Sequence, residues 1–253
     1  MTYIYAYSNH KYGLSRLRRM AVLYQRLQDQ GVEVEMLTND FRAASAICTY
    51  GVPACTTIET VWDIDFVAER GDSLILDTPE DDAGKLAVYV EMFKHVTCIA
   101  DREAQQSLYG EELRYVDPLT DPWYAAQKAE EKVSRTILFY GDSDPKKSLV
   151  KLTDLFENME IELLLGEYFY PGYEAALEPM FSRIHEAESY REIIAGSKCV
   201  ISCVAQTAYE ASTAGANVIF LGEPDEEERE IMEKMAIKIV DKNDQESLQR
   251  AIL

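Results

Sequence analysis

Short apolar or β-branched runs alternate along this chain with longer stretches of helical periodicity. Tyr3–Ser8 reads as a buried strand, and Arg16–Gln30 as a helix with Leu17, Met20, Ala21, Leu23, Tyr24 and Leu27 on one face. Gly31 stands where a helix-ending glycine belongs, and residues 32–37 then alternate as a strand. A helix over 40–50 closed by Gly51, a strand near 55–58, a helix over 60–69 and a strand at Ser73–Asp77 follow. Helix 83–95 and strand 96–100 complete this half. Strand and helix in strict alternation predict a parallel sheet covered by helices on both faces.

The alternation breaks at Asp117-Pro118-Leu119-Thr120-Asp121-Pro122, where two prolines among acids disfavour regular structure and mark a linker, taken as 121–134. It then resumes. Strands are expected at 136–140, 160–165, 199–203 and 218–221, and helices at 145–158, 189–195, 207–214 and 225–235. The predicted fold class is α/β: two Rossmann-like parallel-sheet domains, 1–120 and 135–253, joined by the linker. No period of 20–50 residues suggests a solenoid.

Composition narrows the partners. Of 253 residues 47% are hydrophobic and 28% charged, as in a folded globular protein. The net charge of −20 repels phosphodiester backbones and anionic lipid, so neither nucleic acid nor membrane insertion is expected, though a local phosphate site stays open. No apolar run nears the roughly 18 residues of a membrane span. The first residues lack the features of a signal peptide, and five cysteines without a CxxC pair fit a reduced, cytoplasmic chain.

In open parallel sheets ligands bind beyond the carboxyl ends of the strands, so the residues following each strand carry the chemistry. The first such loop, Asn9–Arg16, offers Gly13 and Ser15 for close approach to an anion, with Arg16, Arg18 and Arg19 supplying charge. Solvated arginines on an exposed helix face are the plainer alternative. His10 is one of three histidines in the chain and a loop base by position. The second loop, Tyr140-Gly141-Asp142-Ser143-Asp144-Pro145, presents Gly141 and Ser143; Asp144 suits an N-cap and Pro145 the first helical position. In the third segment, Ser202–Ser212, a strand enters a helix whose first turn holds Gln206 and Thr207. Amides and a hydroxyl there suit a diphosphate, and Glu210, one turn on, suits the two hydroxyls of a ribose. Spacing alone fits a Thr207–Glu210 capping box equally well. Asp142 and Asp144 read as caps, so no metal and no cofactor are expected.

These three segments in this order resemble the UDP-sugar hydrolase of bacterial pseudaminic acid synthesis and the related spore-coat polysaccharide SpsG family, small relatives of GT-B glycosyltransferases. Gly141–Lys146 resembles that family's GGSDP turn, and Ile201–Gly215 its S-x-x-x-T-x-x-E-x-x-x-x-G strand–helix motif. Ser73–Asp77 resembles the strand whose terminal aspartate lies near the cleft, and Leu163–Gly166 the strand before the uracil pocket. The likeness spans nearly the whole chain. It implies a GT-B arrangement with the two domains facing across a cleft. UDP or a UDP-sugar would be the partner, with ribose on Glu210, diphosphate on Gln206 and Thr207, and uracil on the backbone near Ile184. The reaction implied is release of UDP by attack of water, or of an acceptor hydroxyl, at the anomeric carbon, in surface-glycan or nonulosonic-acid synthesis.

The first loop departs from the family's G-x-G-H-x-x-R. Here Gly13-Leu14-Ser15-Arg16-Leu17-Arg18-Arg19 puts Ser15 for the second glycine and Arg16 for the histidine that acts as base. An arginine keeps its proton at neutral pH, so His10 and Asp77 are the base candidates, with Gly13, Ser15, Arg16 and Arg19 on the sugar. A catalytically silent relative that keeps only nucleotide binding is the alternative.

Overall fold

The structure, a computed structural model, describes residues 1–80, 84–100, 105–116 and 118–252. Ala83, where the fourth predicted helix begins, and Asp117 of the proline-rich stretch lie outside the described residues. The chain divides into two compact units, Met1–Leu119 and Thr120–Leu253.

The first unit contains β1 (Thr2–Ala6), α1 (Ser15–Asp29), β2 (Val34–Thr38), α2 (Phe41–Ala46), β3 (Cys55–Thr57), β4 (Ser73–Asp77), α3 (Lys85–Met92), β5 (His95–Ile99) and β6 (Glu112–Arg114). Its six strands pair in parallel in the order β3-β2-β1-β4-β5-β6. Tyr3, Tyr5, Leu37, Leu74, Leu76 and Val96 line one face of this sheet and pack with Val61, Ile64 and Tyr89. The helix predicted over 60–69 is a 3-10 turn, Val61–Phe66, begun by a Thr60–Asp63 capping box. Gly51 closes a 3-10 turn after α2 in the left-handed conformation, as its sequence position implied.

The second unit begins at Thr120, one residue before the stretch read as linker. Pro122 takes the first position of α4 (Pro122–Ala126), and the Asp121 carboxylate accepts from Trp123 N–H as its cap. Proline at a helix start costs no hydrogen bond, so the residues that disfavoured regular structure here begin a helix instead. There follow β7 (Val133–Phe139), α5 (Thr153–Phe156), β8 (Glu162–Leu164), α6 (Glu174–Leu177), β9 (Arg183–His185), α7 (Tyr190–Gly196), β10 (Ser197–Ser202), α8 (Ala205–Thr213), β11 (Asn217–Leu221), α9 (Glu226–Lys234), β12 (Lys238–Val240) and α10 (Gln245–Ile252). These strands are also all parallel, in the order β12-β11-β10-β7-β8-β9. Leu138, Leu163, Ile201 and Ile219 form the sheet's contribution to a core closed by Leu149, Phe156, Leu177 and Leu248.

Both units therefore run outward from a central pair, β1/β4 in one and β7/β10 in the other. That pair is the topological switch point, where adjacent crossovers leave in opposite directions and open a crevice at the carboxyl ends. The α/β prediction with two Rossmann-like halves holds. The helix predicted over 145–158 does not: only a 3-10 turn at Leu149–Leu152 and the short α5 form there.

Candidate functional site

At the first switch point the ends of β1 and β4 lie side by side, with Ala6 opposite Asp77. The chain leaves β1 through a tight turn in which the Asn9 side chain accepts from Lys11 and Tyr12 N–H. Gly13 N–H returns to Asn9 O at 2.8 Å, and the Ser8 hydroxyl donates to Gly13 O at 2.9 Å. Gly13 sits at φ 66°, which favours glycine. His10 is exposed at the tip of this turn, and Ser15, half-buried, opens α1.

Arg16, Arg18 and Arg19 of α1 are not a solvated face. Asp77, 1% exposed, accepts from Arg19 Nε at 2.6 Å and Arg19 Nη2 at 2.8 Å, and Arg16 Nε stands 3.3 Å from its Oδ1. Arg16 also lies over the Tyr12 ring, 5.2 Å from its centroid. Arg18 is buried and donates from Nε to Tyr50 Oη. A buried carboxylate facing two guanidinium groups is a fixed counter-charge that aims them. Its oxygens are taken up by those donors, which is poor preparation for accepting a proton from water.

At the second switch point β7 and β10 end together, Phe139 opposite Ser202. The turn after β7 is closed by packing of backbone on backbone. A Cβ placed on Gly166, just beyond β8, would overlap the Asp142 Cα, and Tyr168 N–H donates to Asp142 O at 2.8 Å. Gly141 takes φ 151°; Ser143 beside it is half-buried. Asp144 caps no helix at Pro145. Its buried carboxylate accepts from Ser148 N, Leu149 N and the Tyr173 hydroxyl, at 2.7, 2.7 and 2.8 Å. Both backbone donors lie four and five residues on, so the segment folds around the carboxylate instead of extending as a helix. Cys203, following β10, has its thiol pushed up to about 11 by burial and is no nucleophile at neutral pH.

Helix α8 starts at Ala205 with Val204 as its cap residue, which disposes of the Thr207–Glu210 capping box. Gln206, Thr207 and Glu210 instead form one buried network with Tyr190, the first residue of α7. Gln206 Nε2 donates to Glu210 Oε1 at 2.9 Å; the Tyr190 hydroxyl lies 2.7 Å from Glu210 Oε2 and 2.8 Å from Thr207 Oγ1. The side chains expected on a diphosphate thus turn inward, and the N–H groups of the first turn of α8 are what the helix offers an anion at that end. Tyr190 was missed from the sequence, where it carries no motif.

Ile184 lies half-buried in β9 with its side chain on the core. The opening nearby is a cavity of about 130 Å³ just past the strand ends, lined by Gly166, Phe169, Glu167, Glu186, Ala187 and Glu188. Among the described residues no group of three or more His, Cys, Asp or Glu could hold a metal ion, and no helix is long and apolar enough to cross a membrane.

No family model and no curated protein matches the chain by sequence. Solved structures do match by fold. The UDP-GlcNAc 2-epimerase of Methanocaldococcus jannaschii, in complex with UDP-GlcNAc and UDP, superposes with a TM-score of 0.61 at 11% identity, over 100% of this chain and 92% of that one. The glycosyltransferase SnogD from Streptomyces nogalater gives 0.56 at 15% identity over 100% and 92%. The E. coli heptosyltransferase WaaC with ADP gives 0.52 at 13% identity over 97% and 92%. At such identities the likeness establishes the shared fold, that of GT-B glycosyltransferases and nucleotide-sugar epimerases, across the whole chain.

Proposed function

We propose that the second unit binds a nucleoside diphosphate at the β7/β10 switch point, and that the chain acts on a nucleotide sugar, a UDP-sugar by the resemblance of its motifs. One observation carries this reading. The glycine turn after β7, locked onto Gly166, stands beside the N-terminus of α8, and Glu210 lies one turn into that helix. Amides of the α8 first turn would hold the diphosphate and stabilise the charge that develops on it as it leaves the anomeric carbon. Gly141 and Ser143 would let the sugar-bearing phosphate approach the turn, with Gln206 and Thr207 beneath it. The ribose would reach Glu210, and the base would enter the cavity past Ile184.

In the first unit, Gly13, Ser15, Arg16 and Arg19 would meet the sugar, with Asp77 holding the two arginines. The attacking group is water in a hydrolase or an acceptor hydroxyl in a transferase. His10 is then the base, since Arg16 cannot accept a proton and Asp77 is occupied by guanidinium groups. The engaged state of Asp77 and the inward turn of Thr207 also favour a second reading, a silent member that binds nucleotide without turnover.

Calorimetric titration with UDP, with CMP, ADP and GDP as controls, tests the binding. Selective UDP binding is the expected result, and no heat with any of the four would overturn the reading. Release of UDP from a panel of UDP-sugars then separates enzyme from silent binder. Full turnover by His10→Ala would remove His10 from the mechanism.

A further inference from the structure

Glu210 is 2% exposed, and a carboxylate this deep is stable only where donors reach its oxygens. Gln206 serves Oε1 and the Tyr190 hydroxyl serves Oε2. The Tyr190 ring lies edge-on against Phe139 at 5.0 Å between centroids. Phe139 ends β7, so the ring lies under the switch point. The donor on Oε2 is thus an O–H, the same chemistry that a ribose hydroxyl would present.

We propose that Tyr190 is a positioning residue of the nucleotide site, its hydroxyl holding on Glu210 the place that a ribose hydroxyl takes when nucleotide binds. This rests on the reading that Glu210 receives the ribose. The exchange replaces one O–H donor to a carboxylate with another, so Glu210 never loses its partner. Nor does Tyr190: Thr207 Oγ1, at 2.8 Å, stays within its reach once the ribose arrives. This gives a reason for Thr207 to face inward at the first turn of α8, where an anion-binding hydroxyl would face out.

The test compares UDP with 2′,3′-dideoxy-UDP, which lacks both ribose donors, on the wild-type chain and on Tyr190→Phe. The phenylalanine keeps the ring and removes the Tyr190 donor from Oε2 in the free protein. Ribose should then bind about tenfold tighter, the order of one hydrogen bond to a charged group, while dideoxy-UDP is unchanged. The affinity ratio of the two nucleotides should therefore rise about tenfold. Thr207→Val should move the ratio the other way, because the displaced tyrosine hydroxyl has lost its second partner. It serves also if the phenylalanine variant fails to fold. Equal changes for both nucleotides, or a ratio that falls in Tyr190→Phe, would overturn the proposal. A wild-type chain that binds UDP and dideoxy-UDP equally would remove the ribose from Glu210. Binding of neither nucleotide, or of any other diphosphate, would remove the nucleotide reading from which the proposal starts.

Discussion

The two units share a strand order and put different chemistry at the same place in it. At the β1/β4 switch point a buried carboxylate, Asp77, is answered by formal charge: Arg19 in a two-pronged pair and Arg16 beside it. At the β7/β10 switch point a buried carboxylate, Glu210, is answered by neutral donors, the Tyr190 hydroxyl and the Gln206 amide. The loops differ in the same sense. Around the first, side chains of Ser8 and Asn9 tie the turn; at the second, backbone lies against backbone between Asp142 and Gly166. An ion cluster resists exchange because breaking it strands buried charge. A carboxylate held by hydroxyl and amide groups exchanges them for other hydroxyls at little cost. The contrast accords with the proposed function: fixed electrostatics at the first point and, at the second, donors that a nucleotide would exchange.

The sharpest break of the second point is Gly166→Ala. Its new Cβ meets backbone, which cannot rotate away, so the turn after β7 and the end of β8 must separate. The second unit should lose its native packing, or at least about 3 kcal/mol in urea unfolding. Gly13→Ala in the first unit meets the strain of φ 66° and should lose about 1–2 kcal/mol. Equal losses would show that the two turns are built alike. Next in size is Asp77→Ala, which leaves Arg16 and Arg19 facing one another in a buried site. Removal of one partner from such a cluster costs about 3–5 kcal/mol, read from the same denaturation curves. A loss under about 1 kcal/mol would mean that the arginines find other partners, and the first point would cease to be an electrostatic fixture.

These two residues also mark what the sequence made legible. Asp77 ends a strand read residue for residue, because Leu74-Ile75-Leu76 form a compact apolar run that stops at an acid. That three arginines of α1 turn inward was not legible: a helical wheel gives their direction, not the carboxylate 58 residues on that draws Arg19. The three strands missed, β6, β9 and β12, are three-residue edge strands, too short for a period of two to register. In Pro145–Asn158 the apolar spacing is helical, yet Asp144 takes the amides of Ser148 and Leu149, and Lys147 adopts φ 50°. At the site, glycines, Thr207 and Glu210 stood out as residue types. Tyr190 did not, because its role depends on how α7 packs against α8.

Alkaline pH probes both units at once. Each holds a buried phenol on a carboxylate: Tyr5 on Glu80 at 2.6 Å, and Tyr173 on Asp144 at 2.8 Å. Burial first, and then the hydrogen bond to the carboxylate, raises both phenols above the ordinary tyrosine range. A group whose folded value is raised stabilises fully below its unfolded value, near pH 10, and that stability is lost as pH rises towards the folded value. Unfolding free energy should thus be level to about pH 9.5 as far as these groups are concerned. Above that it should fall, each phenol contributing at most about 1.4 kcal/mol per pH unit until pH nears its folded value. Tyr5→Phe and Tyr173→Phe should each flatten this limb by a similar slope. A substitution that leaves the limb unchanged would mean that its phenol ionises in the folded chain as readily as in the unfolded one.

The smallest effect bears most directly on the comparison. Glu210→Ala removes a carboxylate whose named partners, Tyr190 and Gln206, are neutral, and Tyr190 keeps Thr207 within reach. Stability should therefore fall by less than in Asp77→Ala, while UDP affinity falls at least tenfold, about 1.4 kcal/mol. Asp77→Ala, measured on whatever fraction folds, should show the opposite balance, with UDP affinity unchanged within twofold. If Glu210→Ala proves as destabilising as Asp77→Ala and leaves UDP affinity unchanged, both carboxylates are structural and the second switch point has no claim to the ribose. If the two substitutions separate as expected, one strand order has produced a fixture in one unit and an exchangeable site in the other.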